Sequence, residues 1–260
     1  MTDSGVPQQP EVIRPGDFSG SSHVVAALST RCGGVSRPPF GMNLSYRVGD
    51  DPSAVDRNRV RFFGASGIKQ SELAIPLQVH GTNVQRVTAP GEYPDCDGLM
   101  TDLPSLFLCV TCADCVPVLL FDPARKVVAA VHAGWRGTAG GIAANAVGLM
   151  EQLFGCSPAD IVAFLGQAAG PCCYRVGEEV AAQFPPHHVR KADNGITIDL
   201  PSTCADQLAT AGVPPAQIEI LRACTICTPG RFHSHRRDGL HAGRMMAVIG
   251  LSGVRDALIP

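Results

Sequence analysis

The stretch Cys112–Trp135, "CADCVPVLLFDPARKVVAAVHAGW", decides how this chain is read. "VPVLLF" and "VVAAVH" are short apolar runs rich in β-branched residues, and they predict two strands. "DPAR" between them is a turn: Asp122 can cap its own backbone, and Pro123 pre-sets the first central dihedral. With the turn centred between Pro123 and Ala124, an antiparallel register places Cys115 directly opposite His132. Side chains opposite each other share a face, with Cβ atoms about 4.5–5.5 Å apart. That suits two ligands of one metal ion or a nucleophile with its base. The plain alternative is a buried cysteine and a strand-end histidine with no chemistry. Strand ends followed by glycine-rich loops are where sites are commonly built, and Gly134-Trp135-Arg136-Gly137 follow the histidine.

Working outward, "QVHGTNV" supplies His80, with Gly81 beside it marking a tight turn where a ligand or backbone comes close. His80, Cys115 and His132 together make three nitrogen and sulfur donors, the arrangement of a catalytic zinc with one open position. Asp114 is the nearest carboxylate in sequence to this set and is the candidate for moving a proton or orienting a ligand. Two CxxC pairs exist, Cys112/Cys115 and Cys224/Cys227. A four-cysteine zinc site built from both is disfavoured because Cys112 runs into a buried strand rather than a polar knuckle. A redox reading of "CADC" is weak because no strand-to-helix junction follows it. Cys172 and Cys173 are adjacent and are not expected to share a site: one faces a pocket and the other the core. The loop "RFHSHRRDG", Arg231–Gly239, gathers guanidinium groups between apolar runs and suits an anion as well as it suits a solvated face.

Composition sets the outer bounds. The chain has 260 residues, 45% of them hydrophobic and 17% charged, with a formal net charge of −2. That balance gives no reason to invoke nucleic acid or an anionic membrane. No apolar run reaches transmembrane length. The opening "MTDSGVPQQPEVIRPGDFSG" lacks a basic segment followed by an apolar one, so it does not read as a secretory signal. It predicts a loose polar arm over residues 1–20, ahead of a single catalytic domain over 21–260. Eleven cysteines, an odd number in a chain without such a signal, predict a reducing cytoplasm, with most of these thiols serving as small buried hydrophobes.

Between these landmarks strands and helices alternate irregularly. "DDPSAVDRNRVRFFGAS" predicts a helix with Asp51 as N-cap and Pro52 at the first helical position. "AIPLQVHGTNVQRVTAP" predicts strand, turn and strand with His80 at the tip, and "GTAGGIAANAVGLMEQLF" predicts a helix. The sum is one layered α/β domain with mixed β-sheets flanked by helices, rather than a parallel doubly wound fold.

At these residues the sequence resembles the YfiH family, whose members carry the names laccase-domain protein, multicopper polyphenol oxidase and purine nucleoside phosphorylase. The matching stretches are "STRCGGVS", "NLSYRVGDDPSAVDRNR", "QVHGTNV", "CDGLMTD", "ADCVPVLLFD", "VVAAVHAGWRGT", "GPCCYRVGEEV" and "CTICTPGRFHSHRRDGLHAGRM". The resemblance implies zinc on His80, Cys115 and His132. It implies a fold similar to the catalytic domain of cytotoxic necrotizing factor toxins, which use a Cys–His pair. It implies phosphorolysis of adenosine, inosine, guanosine or methylthioadenosine, with adenosine deamination beside it. The expected partners are therefore purine nucleosides and inorganic phosphate, with no nucleic acid and no membrane, in a monomer or weak homo-oligomer. Expected substrate contacts are Asn43, Arg47, Arg136, Cys172, Arg236 and Arg237. Arg47, Gln167 and Arg175 depart from residues common in the family and bear on substrate preference, not on the three donors. Copper is judged a poor fit, because a multicopper oxidase needs a dense set of histidines and this chain has eight, with one HxH pair at His233 and His235. The alternative is a Cys–His hydrolase, or a protein that edits or binds peptidoglycan precursors with little nucleoside turnover.

Overall fold

The computed structural model describes residues 9–16, 18, 23–193 and 195–253. Its first strands are β1 (Val12–Ile13), β2 (Val24–Ser29), β3 (Leu73–Pro76), β4 (Val84–Arg86), β5 (Gly91–Tyr93), β6 (Gly98–Thr101), β7 (Phe107–Cys112), β8 (Val116–Asp122) and β9 (Val127–Ala133). There follow β10 (Val162–Leu165), β11 (Arg175–Val176), β12 (Val189–Ala192), β13 (Gly195–Ile198), β14 (Ile218–Ile220) and β15 (Met245–Leu251). The helices are α1 (Pro52–Ser66), α2 (Trp135–Ala139), α3 (Ile142–Phe154), α4 (Glu178–Ala181), α5 (Leu200–Thr210) and α6 (His235–Asp238). One mixed sheet runs β1-β2-β15-β7-β3-β5, a second runs β14-β10-β8-β9-β6-β4, and a small third runs β11-β13-β12.

Alternation along each strand explains how the sheets stack. Val24, Ala26, Leu28, Leu108, Val110, Ala247 and Ile249 face Leu119, Phe121, Val128 and Ala130 of the second sheet. The opposite face of the first sheet, with Ala27, Cys109, Met246 and Val248, is covered by Phe62 and Phe63 of α1. The opposite face of the second sheet, with Val116, Val118, Leu120, Ala129 and Val131, is covered by Ile142, Ala146 and Met150 of α3 and by Leu208 of α5. The layers are therefore helix, sheet, sheet, helix. β8 and β9 lie in the middle of this stack and are buried at every residue. Burial on both faces is why they read as continuous apolar runs instead of alternating ones.

The expected register of the β8–β9 hairpin is corrected. Asp122 pairs with Val127 and Pro117 pairs with His132, so Cys115 lies two positions short of facing that histidine directly. The loop is four residues long, not two. Asp122 Oδ1 accepts from Ala124 N at 2.8 Å and Arg125 N at 2.9 Å, and Lys126 closes the turn at φ 53°. A shift of two positions preserves the side-chain face, so Cys115 and His132 still share the inter-sheet side, diagonally placed. Helix α1 starts as expected: the Asp51 side chain accepts from Ser53 N, and Pro52 opens the helix.

Two further expectations change. β3 and β4, expected to pair around His80, belong to different sheets, and the turn carrying His80 crosses from one layer to the other. Within the arm expected over residues 1–20, Val12 and Ile13 pair with Ser29 and Leu28, and Phe18 is buried with its ring edge-on to Phe121. Apolar side chains at a sheet edge gain by covering it. Residues 1–8, 17, 19 and 20 lie outside the described residues. No helix among the described residues is long and apolar enough to cross a membrane. All eleven cysteines are free, but only Cys96, Cys109, Cys112, Cys156 and Cys204 are buried. The expectation that most thiols serve the core is therefore corrected, and the remaining six are accessible enough for chemistry.

Candidate active site

His132 ends the apolar run of β9 with its ring buried between the sheets. Its Nδ1 lies 2.8 Å from Oδ1 of Asp97, itself fully buried. Asp97 also gathers the turn before β4. Its Oδ1 accepts from His80 N at 2.9 Å, and its Oδ2 accepts from Gly81 N at 2.6 Å and Val79 N at 3.2 Å. This anchoring sustains a left-handed backbone at His80 (φ 62°), a conformation that a non-glycine residue adopts at a cost. One carboxylate therefore sets both the orientation of His132 and the position of His80.

Cys115 is held from the other side. Asp114, at φ 93°, accepts from Thr225 Oγ1 at 2.6 Å through Oδ1 and from Arg236 N at 2.6 Å through Oδ2. With both oxygens engaged, Asp114 pins the turn that presents Cys115. The donor atoms of His80, Cys115 and His132 all lie within 4.8 Å of one another. The two imidazole rings meet edge to face with centroids 4.9 Å apart. Burial pushes the Cys115 thiol up, but the charge of His132 and hydrogen bonds from His132 and His80 outweigh it and bring its pKa down to about 6. Burial would lower His132, yet the Cys115 thiolate and the Asp97 carboxylate raise it to about 9. A thiolate, two imidazoles and a carboxylate behind one of them form the donor set and outer support of a zinc site with an open position. The residues present thus fit zinc.

Glycines make room for this set. A Cβ at Gly134 would stand 3.0 Å from His80 Cδ2 and 3.2 Å from Cys115 Sγ. One at Gly137 would stand 2.8 Å from the carbonyl oxygen of Gly81. The "HAGWRG" pattern therefore lets two loops close over the donors without a side chain between them.

The three donors line a cleft of about 480 Å³ formed where the ends of both sheets meet. That is within the range of roughly 300–1,000 Å³ usual for small-molecule sites. Arg47, Arg136 and Arg236, all expected from the sequence, line it, as does Asp114. Arg136 stacks 4.4 Å from the Trp135 ring centroid and has no carboxylate partner among the described residues. Arg236 stacks 4.6 Å from the ring centroid of Tyr174, and Arg47 lies 3.8 Å from Glu92.

Three expected substrate contacts do not line the cleft. Asn43 is buried and spends its amide on Ser45 O, Asp50, Ser45 N and Arg244 N, shaping the loop that carries Arg47. Arg237 is paired with Asp238 at 2.6 Å and donates to the carbonyls of Thr225, Ile226 and Phe232. Cys172 sits in a separate group of thiols with Cys173, Cys224 and Cys227, so the expectation that the adjacent cysteines go to different places is also corrected. Conversely, the sequence assigns no role to Asp97, Arg59 or Arg244, although the stretches "CDGLMTD", "NLSYRVGDDPSAVDRNR" and "CTICTPGRFHSHRRDGLHAGRM" contain them. Arg59 and Arg244 also line the cleft: Arg59 donates to Leu44 O and stacks 4.3 Å from the Tyr46 ring centroid, and Arg244 donates to the carbonyls of Ala242 and Gly243. Nothing local marks a cation as cleft-facing, because its position depends on how distant loops close.

Comparisons with known proteins place the chain in a family. Residues 25–252 match the family described as "Multi-copper polyphenol oxidoreductase laccase". Purine nucleoside phosphorylase YlmD of Geobacillus stearothermophilus is 38% identical over 259 residues, covering 90% of this chain and 91% of the relative. A purine nucleoside phosphorylase of Deinococcus radiodurans is 40% identical over 230 residues, covering 86% of this chain and 88% of the relative. The crystal structure of the Geobacillus YlmD superposes with a TM-score of 0.86 at 37% identity over 92% of this chain and 94% of that one. That of the Bacillus licheniformis hypothetical protein YfiH gives 0.86 at 34% identity over 94% and 98%. Sequence match and superposed fold converge: the chain belongs to the laccase-named YfiH family.

Proposed function

We propose that this chain is a zinc-dependent purine nucleoside phosphorylase that acts on adenosine, inosine, guanosine or methylthioadenosine with inorganic phosphate, and that deaminates adenosine as a side activity. The observation that carries this reading is the convergence of His80, Cys115 and His132 in an arginine-lined cleft of nucleoside size. Relatives bearing the phosphorylase name support it. In the reaction a phosphate oxygen bonds to ribose C1′ as the bond from C1′ to the purine nitrogen breaks. The base leaves with that electron pair and takes up a proton. Arg136 and Arg236 bind the phosphate through charge-assisted hydrogen bonds, and their stacking on Trp135 and Tyr174 limits the freedom lost when the anion arrives. Zinc on the three donors would supply a Lewis acid and a fixed positive charge beside the reacting groups. Asp114 acts by positioning Cys115 and Arg236, since both its oxygens already accept hydrogen bonds. Zinc is preferred to copper because His233 and His235, the one HxH pair, join no donor group among the described residues.

Purified protein given inosine and phosphate is expected to release hypoxanthine and ribose 1-phosphate in equal amounts, followed by chromatography. Base release that proceeds equally well without phosphate would overturn the phosphorylase reading. So would inosine as the sole product from adenosine.

The arginines separate in their expected effects. Arg136→Ala removes a charge-assisted bond on the order of 1.5–3 kcal/mol, so the KM for phosphate should rise roughly tenfold to hundredfold. Arg237→Ala should leave that KM unchanged and lower the melting temperature instead, because it unties the Thr225–Phe232 loop. Steady-state phosphate titration with thermal unfolding of both variants checks the pair, and equal phosphate dependence in Arg136→Ala and the parent protein moves the anion site elsewhere.

One observation favours a second reading. Cys115, His132 and Asp97 also have the order of a nucleophile, its base and an orienting carboxylate. A hydrolase of that kind would work best with the metal stripped, whereas phosphorolysis should fall with it. Activity before and after chelation and zinc return decides between them.

A further inference from the structure

Beyond the cleft, two turns that are 51 residues apart in sequence at their nearest point, Cys173 to Cys224, are drawn together by sulfur. The turn at Cys172–Cys173 and the turn at Cys224–Cys227 place four thiol sulfurs within 4.8 Å of one another. Cys173 Sγ lies 2.9 Å from Cys227 Sγ, and Cys172 Sγ lies 3.3 Å from it. We propose that Cys172, Cys173, Cys224 and Cys227 bind a second zinc ion as a tetrathiolate, separate from the cleft site.

The donor set is the first argument. Four thiolates converging from two turns match a closed tetrahedral zinc site, in which zinc–sulfur bonds of about 2.3 Å leave the sulfurs roughly 3.8 Å apart. All four cysteines are free thiols. The backbone is the second argument. Gly170 N donates to Cys224 Sγ at 3.3 Å. A Cβ at Gly170 would stand 3.2 Å from Cys224 Cβ and 3.4 Å from Cys172 Sγ, so the glycine permits the close approach. The sequence pattern is the third. A CxxC pair calls for two more thiols, and the fold supplies Cys172 and Cys173 in place of Cys112 and Cys115.

The ion would brace one wall of the cleft. Tyr174 follows the first turn directly and carries Arg236 on its ring. Thr225, inside the second turn, donates to Asp114, which presents Cys115. Tying the turns together therefore holds the anion-binding side and the ligand-bearing turn in one frame. Cys172 and Cys227 are exposed, so this ion is open to chelators.

Metal analysis of the full chain, purified under reducing conditions, tests the assignment. Cys115→Ala should keep about one zinc per chain, held by the four thiols, and Cys227→Ser should lose that ion and keep the cleft ion. Loaded with cobalt, Cys115→Ala should show intense sulfur-to-cobalt charge transfer and tetrahedral ligand-field bands, which Cys172→Ser combined with Cys115→Ala should lack. If Cys227→Ser does not fold, the cobalt spectrum of Cys115→Ala carries the test alone. Cys115→Ala without zinc and without those bands overturns the proposal. So does a mass showing a disulfide among the four cysteines in the reduced preparation. Failure of the cleft reading would look different: His80→Ala and Cys115→Ala would then contain as much zinc as the parent protein.

Discussion

Cys115→Ala is expected to lose the cleft metal and phosphorolysis together, while Cys112→Ala keeps both. The two residues bracket one CxxC pair, yet their surroundings are opposite. Cys115 Sγ lies among His80 and His132, whose charge and hydrogen bonds favour the thiolate. Cys112 packs with Phe232 and Met245, and burial drives its thiol far up, so it stays protonated and apolar. Removing an outer support of a metal site costs roughly 10–100-fold in affinity, and removing one of three direct donors should cost more. Zinc content and turnover measured on the same preparations read the effect. Equal metal loss in both variants would return Cys112 to the ligand set and overturn the assignment of His80, Cys115 and His132 as the three donors.

Asp97→Asn is expected to weaken the cleft metal roughly 10–100-fold and to destabilise the fold. Four donors converge on this carboxylate: the backbone N–H groups of Val79, His80 and Gly81, and Nδ1 of His132. An amide offers one acceptor oxygen and turns its NH2 toward two of those donors. Each buried donor left unsatisfied costs about 1–3 kcal/mol. If the NH2 faces His132, the ring is driven to the tautomer that carries its proton on Nε2, the nitrogen that should be free for metal. Chelator competition gives the metal affinity, and melting with and without zinc gives the stability. A purely structural Asp97 would lower both melting temperatures equally and leave chelator competition untouched.

Local pattern in this chain reaches as far as propensity and side-chain parity. The runs at Val116–Phe121 and Val127–His132 declare strands, Asp51 and Pro52 declare the start of α1, and the even offset between the two strands keeps Cys115 and His132 on one face even with the turn length misread. Those features depend on residues within a few positions of each other, where φ preference and period decide. The three donors were nameable because two of them share a hairpin and the third stands beside a glycine in a matching motif.

What remained was decided by closure of distant segments. β3 and β4 look like a hairpin, but each finds a better partner in a different sheet, so the turn at His80 becomes a bridge between layers. Asp97 becomes the anchor of that bridge only because β6 runs beside β9, with Gly98 paired to Val131. Cys224 and Cys227 choose Cys172 and Cys173 over the nearer-looking CxxC because Ala168 and Cys224 meet at a bridge between their segments. Arg236 faces the cleft while its neighbour Arg237 turns back to Asp238, a difference of one residue that periodicity in a four-residue helix is too short to reveal. Sequence spacing sets which face a side chain takes; which surface lies opposite that face is set by packing between segments far apart in the chain.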